Sequence, residues 1–76
     1  MDLTFHFFGR LRERRGTSEE RHPFVAGKDL AQWYDGFHLG CDRAAVAVAV
    51  NDDLVAWSTP VQPGDRVAFL PPVSGG

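Results

Sequence analysis

Gly64-Asp65-Arg66-Val67-Ala68-Phe69-Leu70-Pro71-Pro72-Val73-Ser74-Gly75-Gly76 closes this sequence, and it reads as a turn, a strand, a stop and a thread. Pro63-Gly64-Asp65 has the composition of a tight turn. Arg66 to Leu70 alternates, with Val67 and Phe69 on one face of a strand. Pro71 and Pro72 have no N–H to give to a ladder, so the sheet ends there. Val73-Ser74-Gly75-Gly76 offers no large side chain to dock, so residues 71–76 read as a flexible, extended C-terminal tail on a domain of residues 1–70. Fully extended, Pro71 to Gly76 spans about 20 Å, enough to enter a partner's pocket. Two glycines without Cβ atoms keep the tip thin and its backbone angles free.

The carboxylate at Gly76 has an ordinary pKa of about 3.3 to 3.7, so it is ionised at neutral pH and a poor electrophile. It must be activated before it reacts. Adenylation by ATP makes a mixed anhydride, from which a sulfur nucleophile displaces AMP and leaves a thiocarboxylate. That chemistry makes Gly76, with Gly75 before it, the candidate reactive end.

Upstream, Leu3, Phe5 and Phe7 alternate with Thr4 and His6, the period of a strand over Leu3 to Phe8 with one buried face. Gly9 to Arg15 is short and charged and is broken by Gly16-Thr17, which predicts at most one exposed helical turn. A weakly patterned strand follows near Glu19 to Phe24, and Pro23 consigns it to an edge. Leu30, Trp33, Tyr34 and Phe37 recur at helical spacing and predict the main helix over Lys28 to His38, weakened by Gly36 and stopped by Gly40. Ala44 to Val50 reads as a central strand, Val46, Val48 and Val50 on one face and Ala45, Ala47 and Ala49 on the other, where small residues let something pack closely, such as the helix. Asn51-Asp52-Asp53 is a turn by composition, and Leu54 to Trp57 the return strand. The order strand, strand, helix, strand, strand, strand predicts an α+β domain with a mixed sheet of about five strands and one main helix across it.

Composition narrows the function. Seventy-six residues permit one domain, too small for a deep enclosed active site. Eight basic residues against ten acidic, a formal net charge of −2, create no global pull toward nucleic acid or anionic lipid. The single cysteine, Cys41, rules out an internal disulfide and fits a reducing, cytoplasmic setting. No apolar run approaches the roughly 18 residues of a membrane span, and no basic-then-apolar leader opens the chain. Arg10, Arg12, Arg14 and Arg15 lack the interleaved aromatics of a nucleic-acid surface. His6, His22 and His38 have no metal-ligand spacing, so no metal site and no bound cofactor are expected. Cys41 reads as a packed thiol, and Asp52 and Asp53 as turn residues.

Phe7-Phe8-Gly9-Arg10-Leu11-Arg12-Glu13, Val48-Ala49-Val50-Asn51 and the closing stretch from Gly64 to Gly76 together resemble the small, sulfur-carrying subunit of molybdopterin synthase. The ending is the most specific part, because it joins the Gly-Asp turn, last strand, Pro-Pro-Val and Gly-Gly at the family's spacing. The resemblance implies a ubiquitin-like β-grasp fold, the natural candidate for the element order above. It implies adenylation of Gly76 by a ubiquitin-activating-like adenylyltransferase that consumes ATP, then conversion to a thiocarboxylate. It further implies that the tail enters the large catalytic subunit, which uses the sulfur to form the dithiolene of molybdopterin. The chain is then a non-catalytic carrier in a two-subunit transferase. Two other readings share its features: a sulfur carrier for thiazole synthesis or tRNA thiolation, and a ubiquitin-like modifier conjugated through Gly76. A plain interaction module is a third.

Parity adds a partner face. If Phe5, Phe7, Val67 and Phe69 face the helix, Phe8 and Leu70 fall on the other, more exposed side, and exposed apolar neighbours suggest an interface. The resemblance maps partner contacts onto Phe8, Leu54 and Leu70, with Arg12 as a polar contact and Pro71, Pro72, Val73 and Ser74 as the stem that enters the partner.

Overall fold

The computed structural model describes residues 1–72. Five strands form one mixed sheet in the order β2-β1-β5-β3-β4. They are β1 (Asp2–Phe7), β2 (Glu19–Pro23), β3 (Ala47–Val50), β4 (Asp53–Val55) and β5 (Arg66–Leu70). The central pair, β1 and β5, is parallel, with Phe5 beside Val67 and Phe7 beside Phe69. The other pairs are antiparallel. Polar β2 lies at an edge, where Pro23 pairs with Asp2 at the end of the ladder; its lack of an N–H costs little there.

The main helix, α2 (Leu30–Phe37), crosses one face of the sheet. It starts later than Lys28 because Asp29 caps it: the Asp29 carboxylate accepts from Gln32 N–H while the Gln32 side chain accepts from Asp29 N–H, each at 2.9 Å. This reciprocal box satisfies two donors of the first turn. The helix ends at His38, in a left-handed conformation with φ of 53°, before Gly40 is reached. Its stripe of Leu30, Trp33, Tyr34 and Phe37 is buried against Phe5, Phe7 and Phe69. Phe69 lies within 6 Å, centroid to centroid, of Phe5, Phe7, Tyr34, Phe37 and Trp57. Burying each such ring contributes on the order of 1.5–3 kcal/mol.

Five local expectations are corrected. Gly9 to Arg15 forms a seven-residue helix, α1, rather than a single exposed turn, because Leu11 is driven completely into the core. Arg43–Ala45 is a 3₁₀ turn, so β3 begins at Ala47 rather than Ala44. The hairpin after β3 turns on Asn51 and Asp52, with φ of 51° and 74°, and Asp53 already pairs with Val50. Consecutive positive φ values suit a two-residue hairpin, and Asn and Asp tolerate them. β4 stops at Val55; Trp57 leaves the ladder and packs on Tyr34 and Phe69. Finally, Val48 is the β3 residue buried beneath the helix and paired with Phe69, while Ala47 and Ala49 pair with Leu70 and Ala68 on the opposite face. The small residues make room on the far side of the sheet, not under the helix.

Candidate functional site

Alternation along a strand sends successive side chains to opposite faces, so the registers define the face away from α2. One row runs His6, Ala68, Ala49, Leu54 across β1, β5, β3 and β4; beside it, Leu70 pairs with Ala47. Phe8, just past β1, shares the parity of His6. The alanines form a low floor, and the large side chains stand at its margins: Leu54 is 71% exposed and Phe8 47%, while Leu70 is half-buried. A shallow apolar groove lies at the tail end of this face, lined by Ala44, Val46, Ala47, Leu54, Leu70, Pro71 and Pro72. The expected partner residues Phe8, Leu54 and Leu70 therefore share one side of the sheet, and Pro71 and Pro72 continue from it.

The exit of the chain is fixed by Gly9. Its φ is +53°, and a Cβ added there would lie 2.9 Å from Pro71 Cγ. Only glycine combines that left-handed angle with so close an approach. Leu11, buried two residues on, anchors the helix that carries Gly9. Phe8 precedes α1, and its carbonyl accepts from Leu11 and Arg12 N–H at 3.0 and 3.3 Å. Arg12 is exposed on this helix and forms no ion pair among the described residues. Val73, Ser74, Gly75 and Gly76 lie outside the described residues.

At the end of β5 opposite the tail exit, the contacts are polar. Asn51 donates to the Asp65 carboxylate at 3.0 Å, and its side-chain carbonyl accepts from Arg66 N–H at 3.0 Å. The Asp65 carboxylate also accepts from Gln62 N–H at 2.8 Å, closing the turn before β5. These contacts fix the level at which β5 enters the sheet, and hence where Leu70 and Pro71 leave it.

Charge is organised at the β2 edge. The Arg15 guanidinium makes a paired contact with Glu20, 2.9 Å for its second arm, and lies 4.9 Å from the centre of the Phe37 ring. Hydrogen bonding from Arg15, reinforced by His22 and by both charges, holds the Glu20 carboxyl below its ordinary value, and the same bond raises Arg15. Tyr34 donates to the Cys41 carbonyl at 2.7 Å; burial above all, then neighbouring Cys41, Asp35 and Asp42, pushes its phenol up. Cys41 itself is half-buried and packs against the core. Among the described residues no three His, Cys, Asp or Glu side chains gather to hold a metal ion, and no helix is long and apolar enough to cross a membrane.

Sequence reasoning missed two parts of this arrangement. The alanine floor lies on the face away from the helix, and its pairing with Ala68 and Leu70 follows once the register is known. The contact of Gly9 with Pro71 is long-range, and its only trace in the sequence is a glycine set just after the first strand.

Comparison with known proteins agrees with this geometry. The ThiS family model matches residues 5–76. The chain is 36% identical over 76 residues to the molybdopterin synthase sulfur carrier subunit of Escherichia coli (strain K12), with 92% of this chain and 94% of the relative covered. Its fold superposes on SAMP1 from Haloferax volcanii with a TM-score of 0.79, at 22% identity and full coverage of both chains. It also matches, at 26% identity, a TM-score of 0.60 and full coverage of both chains, a structure of the complex of subunits 1 and 2 of molybdopterin-converting factor from Helicobacter pylori 26695. The expected ubiquitin-like β-grasp architecture is therefore present, and with residues 5–76 matched, this chain belongs to the ThiS family.

Proposed function

We propose that this protein is the sulfur-carrier subunit of a molybdopterin synthase and that its cargo rides on Gly76. The observation that supports this most strongly is the apolar face of Phe8, Leu54 and Leu70, which runs directly into the Pro71-Pro72 exit. It occurs in a chain 36% identical to such a carrier. An adenylyltransferase of the ubiquitin-activating kind uses ATP to adenylate the Gly76 carboxylate, releasing pyrophosphate. A sulfur nucleophile then attacks the acyl carbon, AMP departs, and a thiocarboxylate remains. The large subunit binds the apolar face, with Arg12 at its rim, and receives the stem Pro71, Pro72, Val73 and Ser74. Gly75 and Gly76 then reach its catalytic groups, and the sulfur passes to the pterin precursor.

In this reading the carrier contributes shape and cargo, and catalysis belongs to the partner. The single cysteine fits a cytoplasmic site of action. The test is complementation. In a bacterial strain lacking its own molybdopterin synthase sulfur carrier, supplied with this chain and its large subunit, molybdopterin formation returns with the full chain and is lost when Gly76 is deleted. Restoration by the truncated chain contradicts the proposal.

A further inference from the structure

The chain carries seven arginines and a single lysine, Lys28. The distinction matters for a protein whose C-terminus becomes an acylating agent. A lysine in its free-amine form attacks an acyl-adenylate: the amine nitrogen bonds to the acyl carbon, the bond to the phosphate oxygen breaks, AMP leaves with the electron pair, and the nitrogen gives a proton to water. The product is an amide, and the cargo position is lost. A guanidinium does not do this, because arginine keeps its proton at any physiological pH.

The positions of these groups sharpen the point. Gly9 touches the Pro71 exit, and Arg10, Arg12 and Arg14 follow on the same short helix, all exposed. At a rise of about 1.5 Å per residue they lie within about 8 Å of the exit along the helix axis. Four residues beyond Pro72 span at most about 14 Å, a length sufficient to bring the Gly76 carboxyl to an amine at any of these positions. Lys28 is placed elsewhere. Its Nζ sits 4.0 Å from the centre of the Trp33 ring. Trp33 packs on Phe5, which is level with Val67, five residues before Pro72. That is about 16 Å back along an extended strand, and on the helix side of the sheet.

We infer that the use of arginine around the tail exit, with the one lysine withdrawn to a distant site, protects the activated carrier from acylating itself. The inference rests on the reading of Gly76 as a carboxyl that becomes adenylated. The test uses the full chain with its adenylyltransferase and ATP but no sulfur source, followed by intact mass spectrometry. Wild type is expected to give no species lighter by one water. Arg10→Lys and, separately, Glu13→Lys, an exposed position on the same helix, are expected to give that species, with peptide mapping placing the new amide on the introduced lysine. Hydroxylamine added in parallel captures the adenylate as a hydroxamate and reports its formation. Hydroxamate formation with neither lysine variant modified overturns the inference while leaving the carrier reading intact, and so does an internal amide on Lys28 in wild type. Absence of any hydroxamate refutes the activation of Gly76 itself, and the inference with it.

Discussion

Gly9→Ala is the substitution that best probes how the fold aims its tail. Two costs add. The left-handed φ of +53° charges an alanine about 1–2 kcal/mol relative to glycine. The new Cβ would also stand 2.9 Å from Pro71 Cγ, and relieving an overpacked contact of this kind costs about 1–3 kcal/mol. Pro71 has little room to retreat, because Leu70 before it is paired with Ala47. The sum is about 2–5 kcal/mol, a large share of the stability of a small domain. At roughly 4–8 °C per kcal/mol for this size, Tm falls by at least about 8 °C. Gly36→Ala is the matched control: it lies inside α2 with open space around it, so it raises stability by about 0.5–1 kcal/mol. Thermal and urea unfolding of both variants check the pair, and titration with the large subunit reads the displaced exit as weakened binding. A Gly9→Ala protein that melts within about 4 °C of wild type and binds equally well would refute the account of Gly9 as the residue that seats the exit.

Leu70→Arg places a charge at the tail end of the apolar face, beside the Pro71-Pro72 exit, while Leu70 is only half-buried in the free domain; it is expected to abolish large-subunit capture in a pull-down with the circular dichroism spectrum unchanged, and undiminished capture by the folded variant removes the partner-face claim. Leu11→Ala, at a completely buried side chain, is expected to cost about 2–5 kcal/mol in urea unfolding, far more than truncation of an exposed turn. The pH profile follows from Glu20. Its carboxyl is held below the ordinary value chiefly by the Arg15 hydrogen bond, so its stabilising contribution is present above the ordinary carboxylate range and is lost as pH falls through the lowered one. Glu20→Gln should therefore lower Tm at pH 7 and converge with wild type under strongly acidic conditions; an unchanged difference across that range contradicts the assignment.

What could be read from the sequence divides along a physical line. Strong periodic stripes were legible: Leu3, Phe5 and Phe7, the quartet in α2, and Val67 with Phe69 all occupy the core. These are positions where burial alone dictates the pattern. Helix α1 was legible only as an exposed turn because seven residues containing one buried leucine present no stripe, and its arginines disguise the anchor. The end of β4 was misjudged for the opposite reason. Trp57 continues an apolar run, yet its side chain reaches the core from outside the ladder. On the candidate site, the parity of Phe8 and Leu70 correctly separated them from the core. The Gly9–Pro71 contact and the alanine floor depend on which strands become neighbours, and that pairing is a property of the folded sheet.

The central claim is that Gly76 carries sulfur, and the mass of the intact chain tests it most directly. Produced together with its adenylyltransferase and sulfur source, the protein is expected to gain the mass difference of one oxygen exchanged for sulfur, located by fragmentation to Gly76 and removed on incubation with the large subunit and pterin precursor. A chain that stays an unmodified carboxylate under conditions where its adenylate forms, or that accumulates only as lysine conjugates of other proteins, contradicts the account.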